Sequence, residues 1–232
     1  MSQDGKYTGC NTHSNTHSNT HSAQDREKEG AVPKISGGKI LPIYITGHAV
    51  LHAPAKPVTD FSGIQEIVRD MFATMFAAPG VGLAGPQIGL GLRIFVYSYT
   101  EGDTLHQGVA INPDLLIPKG VPKRQTHKQQ ANNSTSCDEP DREGCLSFPG
   151  YQFPLERAPQ VTLSAFDENK KPFTVHATGW LARIFQHEFD HLQGTLYVDR
   201  LAQKYSGEVR QAVLNNKWGI PGKYWVPQEP KE

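Results

Sequence analysis

Two histidines four residues apart, His187 and His191, with Glu188 between them, offer two metal ligands and a candidate acid/base. On a helix of about 3.6 residues per turn, positions i and i+4 lie nearly one above the other, so both imidazoles can reach one ion. Glu188 is adjacent to the first ligand without being obliged to bind the metal, and so can take a proton from a water activated by the ion. The alternative is a polar helix face that spells H-E-x-x-H by chance, and the neighbouring residues weigh against it. Trp180, Leu181, Ile184, Phe185 and Leu192 make the segment strongly apolar, while Trp180, Ile184, His187 and His191 share one stripe. Thr178 is the expected N-cap, and Gly194 the expected stop just past the last turn.

A catalytic site of this kind needs a third protein ligand. A histidine three residues past Gly194 would extend the motif, but Tyr197 stands there. A downstream glutamate is a second option, for which Glu208 is the nearby candidate. The better donor lies upstream in Glu143-Gly144-Cys145-Leu146-Ser147, just before Phe148-Pro149-Gly150. A thiolate at Cys145 completes a Cys-His-His set with one position left open. Of the other cysteines, Cys10 falls in a low-complexity stretch and Cys137 in a polar loop, and no pair has C-x-x-C spacing.

These segments resemble the signature motifs of the peptide deformylases. Glu143 to Ser147 and His187 to His191 are similar to two of them. The third, a glycine-rich segment ending in glutamine, is matched by Gly80-Val81-Gly82-Leu83-Ala84-Gly85-Pro86-Gln87, in the expected order along the chain. The likeness runs from about Ile40 to Leu201. One departure is Gly85, where the family usually has alanine; loss of that methyl is expected to loosen the turn. Another is the long polar stretch before the cysteine motif. Gly80, Gly82 and Gly85 also spell G-x-G-x-x-G, with Glu101 or Asp103 near the acidic position of a dinucleotide site. Context excludes that reading, because Ile64, Ile67, Val68, Met71, Phe72 and Met75 make the preceding element a helix, and the strand-like run from Leu92 to Tyr97 follows.

The resemblance implies one divalent ion on Cys145, His187 and His191, Fe²⁺ foremost, with Zn²⁺, Ni²⁺ or Co²⁺ able to replace it. It implies Glu188 as proton carrier, and Gln87 with the backbone N–H of Leu146 as donors to the developing oxyanion. The substrate is an N-formylmethionyl nascent peptide met transiently at the ribosome, and the products are formate and a free N-terminal methionine. Gly82 and Val81, with Phe148, Trp180 and Ile184, are the expected substrate-binding residues. Arg157 is placed to pair with Glu143 or Asp190 and fix the cysteine loop. Two other classes remain to be separated from this one: a structural metal module with His176 as a fourth ligand, and an endopeptidase acting on unformylated peptides.

The chain has 232 residues, 37% of them hydrophobic, and 23 basic against 23 acidic side chains. That balance gives no electrostatic case for a direct nucleic-acid site or an anionic membrane. No apolar run is long enough to span a bilayer, and the first thirty or so residues are almost wholly polar, so a cytoplasmic protein is expected. Three Asn-Thr-His-Ser repeats between Asn11 and Ser22 belong to a polar tail over residues 1–38 that lacks the apolar residues to fold. A catalytic domain over 39–216 is expected, with a polar surface insertion at about 119–142 and a short C-terminal tail over 217–232. Strands at 92–97 and 108–111, and a hairpin of 160–166 with 172–177 leading into the histidine helix, indicate an α+β fold. The resemblance refines this to a central metal-bearing helix enclosed by antiparallel β-sheets.

Overall fold

In a computed structural model, residues 37–118 and 141–228 are described. Along the chain run β1 (Ile43–Tyr44), α1 (Ile64–Ala77), β2 (Gly82–Ala84), β3 (Ile94–Glu101) and β4 (Thr104–Leu116). They are followed by β5 (Arg142–Cys145), β6 (Phe148–Pro154), β7 (Gln160–Phe166), β8 (Pro172–Thr178), α2 (Gly179–Leu192), α3 (Ser206–Asn215) and β9 (Tyr224–Trp225). Five strands form one antiparallel sheet in the order β2-β3-β4-β7-β8, while β5 pairs with β6 and β1 with β9. The fold is α+β. No helix among the described residues is long and apolar enough to cross a membrane.

Strand alternation decides which helix meets which face of the large sheet. Successive side chains of a strand point to opposite faces. Phe95 and Tyr97 of β3 therefore join Ala84, Ala110, Val161 and Leu163 against Leu181, Ile184 and Phe185 of α2. Ile94 and Val96 pack with Leu83, Val109 and Ile111 against Val68, Met71, Phe72 and Met75 of α1. The rings of Tyr97 and Phe185 meet nearly perpendicular, with centroids 4.9 Å apart. A third apolar cluster, built on Phe148, Phe153 and Tyr197, gathers Trp218 and the inner face of α3. The histidine helix thus has apolar structure on both sides.

Several boundaries differ from those read in the sequence. The third strand starts at Ile94, because Leu92 makes an isolated bridge to Lys56. The fourth runs through Asn112 and Pro113 with a register shift between Ile111 and Asp114, since Asn112 takes a left-handed φ of 51°. The insertion ends earlier than expected, as Arg142 already pairs with Pro154. At the other end, Gly38 lies against α1 and Lys39 N–H donates to Asp70 Oδ1 at 2.7 Å, so packing begins before residue 39. Residues 217–228 are not a detached tail, because β9 pairs with β1 and Trp218 sits on Phe148 with centroids 4.9 Å apart. The histidine repeats, Cys10, Cys137 and residues 125–136 lie outside the described residues.

The left-handed turn at Asn112 is held by its own side chain. Oδ1 accepts from Val58 N–H at 2.7 Å and Nδ2 donates to Val58 C=O at 2.8 Å, as a neighbouring strand would. Asn112→Ala forfeits both bonds at a backbone angle that alanine tolerates poorly. We expect it to lower unfolding free energy by about 1–3 kcal/mol in urea denaturation. An unchanged midpoint would mean that neighbouring strands hold this turn without the amide.

Candidate metal centre

α2 begins where the β8 strand ends, with Thr178 at the N-cap position although its hydroxyl makes no capping bond. Gly194 follows the last turn at φ 72°, and a Cβ there would approach the backbone of Ala53 to 2.8 Å, so glycine is needed on two counts. Between these ends His187 and His191 stand one turn apart. Across from them the β5–β6 hairpin presents Cys145, at a register shift between Gly144 and Cys145. Such a bulge re-aims a side chain.

Cys145, His187 and His191 offer ligand atoms that all lie within 4.8 Å of one another, the one such group among the described residues. Sγ of Cys145 is 3.2 Å from Nε2 of His191 and accepts from Ser147 N–H at 3.4 Å. His187 Nδ1 is 2.7 Å from Glu143 Oε1. An ionised carboxylate can only accept, so Nδ1 carries the proton and Nε2 keeps its lone pair for the centre. His176 is elsewhere, exposed on β8 and bonded to Thr162, and Glu208 is exposed on α3. Neither is a fourth ligand.

The surroundings fit a divalent cation. Burial disfavours a charged His187, yet the negative charges of Cys145, Glu143 and Glu188 outweigh it and raise its pKa well above the ordinary value. Burial, then the charge of His187, pushes His191 well below. The site therefore demands positive charge without having room for two imidazolium ions. A cation held by one thiolate and two neutral imidazoles answers both conditions. Buried Glu188 Oε2 has no hydrogen-bond partner within the described structure, as expected of a group beside a centre meant to hold something else.

Glu188 is only 3% exposed, and burial is the foremost reason that its pKa rises to about 7, with His187 opposing and Glu143 adding to the shift. Its carboxylate lies in a slot opened by Gly82, where an added Cβ would collide with Oε1. Gln87 is buried in the 3₁₀ turn Gly85–Ile88, where Oε1 accepts from Ala84 N–H at 2.7 Å and Nε2 points toward Cys145 Sγ at 3.8 Å. Leu146 follows Cys145 in the turn between β5 and β6. The expectation that Gly85 loosens its turn does not hold. A methyl there would lie 2.9 Å from the carbonyl oxygens of Leu90 and Leu92, so the backbone has closed over the space.

Glu143 is joined by residues that the motifs alone do not disclose. Arg157 donates to both of its oxygens, at 3.1 and 2.6 Å, and to Asp190 Oδ2 at 2.6 Å. Arg183 adds a bond to Glu143 at 2.9 Å, and Arg200 binds Asp190 through two nitrogens. Arg157 meets Glu143 and Asp190 together. Arg183 and Arg200 escape a motif reading, although the spacing of Arg183, His187 and Asp190 on one helix face is a signal that charge patterning can find.

The five residues read as a substrate pocket do not form one wall. Phe148 is 0% exposed and packed among Tyr151, Tyr197 and Trp218, because alternation along β6 turns it into the third cluster. Ile184 is nearly enclosed by the α2 core, whereas Val81 is 42% exposed and Trp180 half-buried. Gly82 serves first as the seat of Glu188.

A thiolate and two imidazoles, one of them oriented by a carboxylate, beside a buried glutamate on a frame of helices and antiparallel sheets are the apparatus of a metal-dependent hydrolase. The chain matches the family model described as polypeptide deformylase over residues 40–206. It is 97% identical over 232 residues, the whole of both chains, to the peptide deformylase of Tropheryma whipplei (strain Twist). With that of Mycolicibacterium smegmatis it shares 41% identity over 199 residues, 82% of this chain and 95% of the other. The solved peptide deformylase of Thermus thermophilus superposes with a TM-score of 0.61 at 35% identity, over 77% of this chain and 93% of that one. That of Ehrlichia chaffeensis in complex with actinonin gives 0.62 at 31% identity, over 77% and 96%. The chain belongs to the polypeptide deformylase family.

The contact between Gly82 and Glu188 generates a direct test. Gly82→Ala must displace the carboxylate while leaving Cys145, His187 and His191 untouched. We expect full metal content with kcat reduced about a hundredfold or more, the range associated with a misplaced general base. Wild-type turnover in that variant would show that Glu188 does not need this seat.

Proposed function

We propose that the chain hydrolyses the formyl group from N-formylmethionine at the start of newly made polypeptides, releasing formate and a free amino terminus. The observation that carries this reading is the convergence of Cys145, His187 and His191 beside Glu188, whose Oε2 is buried without a partner. Cys145, His187 and His191 would hold one divalent ion, Fe²⁺ in our reading, with Zn²⁺, Ni²⁺ or Co²⁺ able to replace it. Bound there, such an ion supplies a Lewis acid and an ionisable water.

The remaining steps belong to the chain's own groups. Glu188 accepts a proton from the attacking water as its oxygen bonds to the formyl carbon. It then returns that proton to the amine nitrogen as the C–N bond breaks. Gln87 Nε2, with Oε1 anchored on Ala84, donates to the formyl oxygen as negative charge grows there. The backbone N–H of Leu146 is the second donor. The methionine side chain lies along exposed Val81, beside the Gly82 seat of Glu188, while Ile184 backs the site from the α2 core without touching the substrate. Nascent chains are met transiently at the ribosome in the cytoplasm, without a direct nucleic-acid or membrane site. Residues 38–228 act as one catalytic unit.

Protein loaded anaerobically with Fe²⁺ or Ni²⁺ should release formate from formyl-Met-Ala-Ser. Cleavage of unformylated peptides with no formate would make the chain an endopeptidase and overturn the reading. Glu188→Ala should keep its metal and lose about 10²–10⁴-fold in kcat, while Cys145→Ala should lose metal affinity itself. The reverse pattern would exchange the two roles.

Burying a methionine side chain contributes roughly 1.5–3 kcal/mol, so a formyl-Ala peptide should be about ten- to hundredfold poorer in kcat/KM than its formyl-Met counterpart. Equal rates on the two would remove the pocket assignment.

A further inference from the structure

Residues 217–228 belong to none of the three motifs, yet they run back across the molecule to the cysteine loop. Gly219 N–H donates to Thr46 C=O at 3.1 Å, and Ile45 N–H to Lys223 C=O at 3.0 Å. Tyr224 and Trp225 then pair with Tyr44 and Ile43. Trp225 is left half-buried against the same apolar cluster as Leu146. Its indole Nε1–H donates to the carbonyl oxygen of Leu146 at 3.0 Å.

The peptide unit that carries this carbonyl also carries the N–H of Ser147, which donates to Cys145 Sγ at 3.4 Å. One planar amide is thus held at both ends, by the indole on its oxygen and by the thiolate on its hydrogen. A donor on the oxygen draws electron density through the amide and makes its N–H a stronger donor in turn. Hydrogen bonds to a ligating thiolate lower its lone pairs and reduce the charge it gives to a metal.

We propose that Trp225 is a positioning residue for the thiolate ligand. It fixes the Leu146–Ser147 peptide so that its N–H stays aimed at Cys145 Sγ, and so moderates the charge that Cys145 gives to a bound cation. The inference rests on the reading of this site as a metal centre. A C-terminal strand outside the motifs then contributes to the strength of the Lewis acid.

Co²⁺ is a suitable probe, because a thiolate-to-cobalt charge-transfer band in the near ultraviolet reports the energy of the sulfur lone pairs. Trp225→Phe keeps an aromatic ring and removes the donor. The band should move to lower energy, and kcat with the native ion should fall about two- to tenfold with KM near its wild-type value, as expected for one lost hydrogen bond. Tyr224→Ala disturbs the same strand without touching the donor and should leave the band in place. Incorporation of the benzothienyl analogue of tryptophan at position 225, which keeps the bicyclic shape and lacks the N–H, should reproduce the shift even if the phenylalanine variant unfolds. An unmoved band in both donor-less proteins, or an equal shift in Tyr224→Ala, would overturn the proposal. Absence of the band from wild-type protein would overturn the metal centre, and this inference with it.

Discussion

The buried carboxylate of Glu143 is the constraint on which the rest of the site depends. It sits two residues before Cys145 on β5 and accepts from His187 on α2, from Arg183 one turn earlier on the same helix, and from Arg157 beyond β6. Three segments distant in sequence are thereby set in one geometry. Arg157 extends the set to Asp190, and Asp190 to Arg200. Removing such charges from water costs several kcal/mol per ion, and replacing them by apolar groups is often no less stable. What the network supplies is orientation: it fixes the His187 tautomer, aims Nε2 at the centre, and ties the cysteine hairpin to the histidine helix.

That network survives burial because the surrounding layers are apolar and complete. α2 carries Arg183, Gln186, Glu188, Asp190 and His191 at buried positions, an unusual load for a helix of fourteen residues. Phe95 and Tyr97 seal one side by packing on Phe185, and the cluster of Phe148, Phe153 and Tyr197 seals another. The ring of Tyr197 also lies over that of His187, with centroids 6.1 Å apart and the planes inclined at 29°. Where water is excluded, each hydrogen bond to a charged group is stronger and its loss more damaging.

Much of this was legible in the chain because it rests on local rules. The i, i+4 spacing of His187 and His191, the apolar period of α1, and the turn at residues 167–170 between β7 and β8 depend on near neighbours. Cys145 could be chosen as third ligand by elimination, although only the fold brings it to the helix. The parts that escaped are those set by distant contacts. Phe148 reads as a motif residue facing a substrate, but the face of β6 on which it falls is settled by Tyr197 and Trp218. The last described residues read as a tail because two-residue strands carry no periodicity, and only the pairing of Ile43 with Trp225 reveals the brace. Gly85 shows the same limit, since a missing methyl looks like slack until the carbonyls that occupy its space are known.

Two glutamates in one centre show how partners decide chemistry. Burial alone would raise both. At Glu143 the bonds from His187 and Arg157 outweigh that effect and hold the carboxyl well below its usual range, so it stays ionised and serves as an anchor. Glu188 is as deeply placed, but its Oε2 has no partner, and Gly82 gives it room rather than a donor. Burial therefore prevails and brings its pKa to about 7. A carboxylate saturated with donors can orient a ligand but has little capacity to exchange a proton, whereas one denied donors near neutrality can do so in either direction. The division of labour between the two follows from which of them the arginines can reach.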